Sequence, residues 1–135
     1  MAPNDTLTIN SSRELRGSKQ TTGKLRLDLL PPEWIQAIGA VLTYGAKKYD
    51  DWNWAKGIPF SELLGAAKRH ILAFEQDSPI DEESHCQHLT HAAVNLLMLS
   101  FYVLYDENYA DFDDLQARIP IPERKGSGSE DCHAL

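Results

Sequence analysis

The chemistry of this chain is concentrated in one stretch, Asp81-Glu82-Glu83-Ser84-His85-Cys86-Gln87-His88-Leu89-Thr90-His91-Ala92-Ala93-Val94-Asn95. Carboxylates, imidazoles and an amide stand close together and run directly into an apolar segment. Residues three or four apart on a helix share one side. His88, His91 and Asn95 are therefore predicted to form one polar stripe. Leu89, Ala93, Leu96 and Ser100 form a neighbouring, mostly apolar one. Donor side chains beside a core face are what a helical metal site requires. The spacing is not that of zinc proteases, which place two histidines four apart with Glu between them. A plainer reading competes. Packed histidines make ordinary hydrogen bonds, and Asp81, Glu82 and Glu83 suit the N-terminus of a helix, where acids cap and oppose the dipole.

Two further groups carry possible chemistry. Arg69-His70 pairs a guanidinium, which matches phosphate oxygens in a two-pronged contact, with an imidazole that could ligate a metal or donate to phosphate. The run Tyr44-Gly45-Ala46-Lys47-Lys48-Tyr49 precedes Trp52-Asn53-Trp54 closely. Rings that stack on a base, an amide that reads its edge and lysines that approach phosphate together suit a nucleotide. The alternative for the tryptophans is simple packing, since Trp is mostly buried. No Gly-rich phosphate loop and no Ser-His-Asp order stands out.

These groups need helices to position them. Pro31-Pro32 ends an extended or turn-like stretch at Lys24–Leu30 and suits a helix's first turn. A first helix is predicted over 32–48, with Trp34, Ile38, Val41, Leu42 and Gly45 inward. Residues 49–57 break the period with turn formers. A second helix is expected over about 59–76, with Leu63, Leu64, Ala67, Ile71 and Phe74 on its core face. A third should begin between Asp81 and Ser84 and run to about Tyr105. Its second half is apolar nearly all round, as in a bundle core or an oligomer interface. The segment 106–115 adds a further short helix. Residues 1–22 read as a flexible arm with a short strand at Thr6–Ile9, 23–118 as the helical domain, and 119–135 as a flexible tail.

The totals agree with one all-α domain. The chain has 135 residues, 42% hydrophobic, and a net charge of −7. Such a charge argues against broad binding to a nucleic-acid backbone. It leaves room for a small polyanion bridged to carboxylates by divalent cations. Neither a membrane-spanning run nor a signal peptide is visible, so a cytoplasmic protein is expected. Cys86 and Cys132 do not form a disulfide framework.

Taken as a set, Leu29-Leu30-Pro31-Pro32, Tyr44-Gly45-Ala46-Lys47-Lys48-Tyr49, Asn53-Trp54, Arg69-His70, Asp81-x-Glu83-Ser84 and His88-x-x-His91-x-x-x-Asn95 resemble a known family. It is the phage dATP/dGTP diphosphohydrolase branch of the MazG-like all-α nucleotide pyrophosphohydrolases, in particular its MazZ type from phages that carry 2-aminoadenine in their DNA. The resemblance covers about residues 24–101. It implies an oligomeric helical bundle, dimeric or tetrameric, acting in the host cytoplasm. It also implies hydrolysis of dGTP, with dATP as a second substrate, to the monophosphate and pyrophosphate. Mg2+ or Mn2+ would be the cofactor. MazG-like enzymes carry Glu-x-x-Glu on one helix and Glu-x-x-Asp on the next. Here Arg69-His70 and His88-x-x-His91 stand in roughly those places.

With that resemblance, roles can be assigned as expectations. Glu83, Asp81, His70 and Asn95 would be catalytic. Glu83, Asp81, His88, His91 and Glu62 would hold metal. Lys24, Arg69, Lys47 and Lys48 would bind phosphate, and Trp52, Asn53 and Trp54 the purine. Two other classes of function compete: a non-catalytic purine nucleotide-binding module or sensor, and a helical scaffold protein.

Overall fold

A computed structural model describes residues 16–116. The expected strand at Thr6–Ile9 and the tail over 119–135 lie outside them. The chain divides into two compact units, Met1–Leu30 and Pro31–Leu135. In the first unit, Lys24 N–H donates to the Thr21 carbonyl (3.1 Å) across a turn with Gly23 at φ +77°. A 3-10 turn follows at Leu27–Leu29. It is flanked by a two-pronged Arg26–Asp28 pair at 2.8 and 2.7 Å.

The second unit is all-helical. Helix α1 spans Pro32–Lys48, α2 Phe60–Glu75 and α3 His88–Leu104. A single-turn α4 at Asp106–Tyr109 and a 3-10 turn at Ala110–Phe112 close the described part. Among the described residues the only β pairing is an isolated antiparallel bridge between Ile80 and Gln87. Pro31 and Pro59 stand in extended conformation immediately before α1 and α2, where a missing N–H costs nothing. Helices α2 and α3 form the main packed pair, with α1 laid against α3. The chain bends by 107° between α3 and the 106–112 segment, and no single described helix is long and apolar enough to cross a membrane.

Helix α3 starts at His88, later than the sequence pattern suggests. The reason is local hydrogen bonding, which competes with helix formation around Asp and Ser. Asp81 Oδ2 accepts the Ser84 N–H at 2.8 Å. Asp81 N–H reaches the Cys86 carbonyl and His85 N–H the Asp81 carbonyl, both at 2.8 Å. His85 takes a left-handed φ of 61°. The acids are therefore loop residues and cap no helix.

The core is aromatic. Phe60, Leu63, Tyr102 and Tyr109 are buried together, with Trp54, Met98 and Phe112 packed on them. Tyr102 stacks on Tyr109 at 4.3 Å and on Phe60 at 6.0 Å. Several residues expected inside are instead exposed. Trp34 is 60% exposed, and Ile71, Phe74 and Leu42 also face out. The stripes of α3 are reversed: His88 and His91 are buried, whereas Leu89, Leu96 and Leu97 are exposed. A helix that is apolar on most sides hides its polar stripe when polar groups of its neighbour satisfy it. Here the imidazole of His70 on α2 does so.

Candidate functional site

Three imidazoles meet where α2 faces the start of α3. His70 Nδ1 lies 2.8 Å from His88 Nδ1. The His70 and His91 rings stack at 4.5 Å, only 8° from parallel. Asp81 joins from the loop. His70, Asp81 and His88 each offer one ligand atom, and the three atoms lie within 4.8 Å of one another. His91 pairs instead with Ser84 Oγ, 2.6 Å from Nε2. Asp81 Oδ2 approaches the same His91 nitrogen at 3.9 Å. Serine and aspartate thus address one nitrogen, and a relay through both ring nitrogens, as in a serine hydrolase, does not form.

Electrostatics favour the neutral form of His70 and His91 and the ionised form of Asp81. Burial, then the charges of His91 and His88, pushes His70 below its usual value. Burial does the same to His91 against the opposing pull of Asp81. Burial pushes the Asp81 carboxyl up, but the backbone N–H and hydroxyl of Ser84 and the charges of His91 and His88 outweigh it, and the net shift is down.

A second cluster lies on the rim. Lys48 Nζ donates to Glu83 Oε1 at 2.8 Å. The bonds from Lys48 and Tyr44 lower the Glu83 pKa and raise those of both partners. Tyr44 and Lys48 are four apart on α1, so both reach the same loop acid. Glu83 is therefore tied to α1 and stands outside the imidazole trio.

Both clusters face one cavity of about 1000 Å³ within the second unit. Five carboxylates line it (Asp50, Asp51, Glu62, Asp81 and Glu83) against two cations, Lys48 and Arg69. Trp52, Asn53 and Trp54 form another part of the wall. Glu62 contributes from the first turn of α2, and Asn95 from α3. Asn95 uses one amide N–H internally, on the His91 carbonyl at 2.8 Å. Lys47 is exposed and is not among the residues that line the cavity, unlike Lys48. His88 lies behind the wall, buried. Lys24 belongs to the separate N-terminal unit.

The tryptophan loop is held from beneath. Tyr102 donates its hydroxyl to the Trp54 carbonyl, and Tyr109 to the Ala55 carbonyl at 2.6 Å. Trp54 packs edge-on to Phe101 at 5.1 Å and belongs partly to the core. Trp52 is 73% exposed in a left-handed conformation, φ 59°. The plain packing reading therefore holds for much of Trp54, while Trp52 is the ring open to a ligand. Sequence reasoning missed Tyr44, Ser84, Tyr102 and Tyr109. The i,i+4 spacing of Tyr44 and Lys48 and the Asp-x-x-Ser pattern of a local turn were the available signals for the first two.

Comparison with known proteins adds relatives. Residues 14–112 match the family described as dATP/dGTP diphosphohydrolase, N-terminal. The chain is 33% identical over 114 residues to a dATP/dGTP diphosphohydrolase of Salmonella phage PMBT28, an alignment covering 84% of this chain and 39% of the relative. The chain thus spans about two fifths of the length of that curated relative. No solved structure matches it.

Proposed function

The chain belongs to the dATP/dGTP diphosphohydrolase N-terminal family, and on that premise we propose that its cavity hydrolyses purine deoxynucleoside triphosphates to the monophosphate and pyrophosphate. The observation that carries this reading is the charge balance of one cavity. Five carboxylates and two cations share it with a base-sized aromatic wall. A triphosphate would be repelled by that acid excess unless divalent cations stood between, so the donor set fits a metal-dependent hydrolase. Asp81, Glu83 and Glu62 would hold Mg2+ or Mn2+ through their carboxylate oxygens. When bound, such an ion neutralises phosphate oxygens and lowers the pKa of its water.

The protein's own side chains supply the rest. Arg69 and Lys48 bind phosphate, Lys48 exchanging its bond to Glu83 for one to substrate. Glu83, released from Lys48, and Asp81, held ionised by Ser84, accept protons or order water. Asn95 orients groups at the α3 wall. Trp52 stacks on the purine, and Asn53 and Trp54 shape its edge. Preference for dGTP over dATP, and a supply of dGMP to 2-aminoadenine nucleotide synthesis in a MazG-like, MazZ-type enzyme of the host cytoplasm, complete the reading. A homodimer or homotetramer fits the exposed leucines of α3.

Product analysis of the four dNTPs with Mg2+ and with Mn2+ tests it. Pyrophosphate and monophosphate from purine substrates are the expected outcome. Release of inorganic phosphate or triphosphate means other chemistry. Tight purine binding without turnover favours a nucleotide-binding module.

A further inference from the structure

We propose that His70, Asp81 and His88 form a resident transition-metal centre of the zinc or cobalt type, selective against magnesium. The three donors come from three separately held positions: the interior of α2, the loop turn fixed by Ser84, and the first residue of α3. Their ligand atoms already lie within 4.8 Å of one another. At 2.8 Å, the Nδ1 atoms of His70 and His88 cannot both present lone pairs without a proton or a cation between them. Two imidazole nitrogens on one tetrahedral ion stand about 3.3–3.4 Å apart, given metal–nitrogen bonds of about 2.0–2.1 Å. A small opening of the pair therefore admits the ion.

Imidazole favours zinc, iron, nickel and copper, whereas magnesium takes oxygen ligands. Two nitrogens and one carboxylate oxygen leave positions for water or phosphate. The second shell is also in place. The Ser84 N–H holds Asp81, and His91, itself bonded to Ser84, stacks on His70 and fixes its plane. The inference deepens the functional reading and rests on it for its bearing on hydrolysis. His70 and Asp81 line the carboxylate-rich cavity with His88 behind them, so the centre's open position would face the substrate's phosphates.

Cobalt(II) titration of the chelator-treated, full-length chain tests it. The expected result is one equivalent bound, with visible absorption that about thousandfold excess Mg2+ does not remove. Binding weakens about 100-fold or more in His70→Ala and His88→Ala. Glu62→Gln and Glu83→Gln keep the spectrum. Displacement by Mg2+, or a spectrum unchanged in both histidine variants, overturns the centre. X-ray absorption on the wild-type cobalt complex guards against misfolded variants. Two imidazole shells support the assignment, and an oxygen-only shell overturns it. Product assays on the same samples separate the two readings. Cobalt on the histidines without turnover leaves the centre standing and removes the hydrolase. Magnesium-supported turnover with no cobalt centre does the reverse.

Discussion

Trp52 is the residue at which the proposed base recognition can be tested apart from folding. It is exposed at the cavity, so Trp52→Ala should raise KM for a purine dNTP with little change in kcat. Stacking worth about 1–3 kcal/mol corresponds to about 5- to 150-fold. Steady-state kinetics with dGTP and dATP check this. Glu83→Ala should cut kcat at least tenfold, about 1.4 kcal/mol or more of barrier, while leaving the melting temperature within a degree or two, because its ion pair with Lys48 is exposed. Full turnover in that variant removes Glu83 from the reaction. The histidines give a pH signature. Both His70 and His91 are held below the ordinary 6.5, His70 by burial and by neighbouring imidazoles, and His91 by burial. The unfolded chain then binds protons that the folded one refuses. Stability should fall as pH drops below about 6.5 and level off above it. Thermal melts from pH 5 to 8 check the sign, and a His70→Gln/His91→Gln double variant should flatten the slope. Most of these side chains could be named from residue type and spacing. What spacing could not provide was direction: Lys47 and Lys48 are neighbours on α1, and only packing decides that Lys48 faces the loop acid.

At the level of elements, the tryptophan loop owes its shape to residues far along the chain. Gly57 has φ +107°, and a Cβ there would lie 2.2 Å from the Phe112 ring. Gly57→Ala should therefore cost about 2–4 kcal/mol, seen in denaturant melts, from backbone strain and overpacking together. Tyr102→Phe removes a bond to the Trp54 carbonyl and should cost about 1–2 kcal/mol while weakening purine binding. Three helices were legible because proline starts, turn-rich gaps and apolar periods bound them; α1 spans the expected residues. The start of α3 was not, because Asp81 and Ser84 read equally well as a helix cap or as a turn. The reversed stripes of α3 were not legible either. Periodicity finds an apolar face without saying whether this chain or another molecule covers it.

For the molecule as a whole, Leu96, Leu97, Val103 and Leu104 are from 45% to 72% exposed along α3. A face of that kind is commonly an association site. Sedimentation should give a dimer or tetramer, and Leu97→Asp with Leu104→Asp should shift it toward monomer. A monomeric wild type at micromolar concentration removes the proposed assembly. Smaller in extent is the neck formed where Ile80 pairs with Gln87 and His88 N–H bonds the Pro79 carbonyl at 3.0 Å. It fastens both strands of the connection before the tip at Glu82 is reached. Extra residues spliced in at that tip would add only about 0.6 kcal/mol of closure entropy per doubling of its length. Length added there would nonetheless draw the Ser84 N–H from Asp81 and Glu83 from Lys48, so the tightness of the tip, and not the neck alone, sets where the two carboxylates stand.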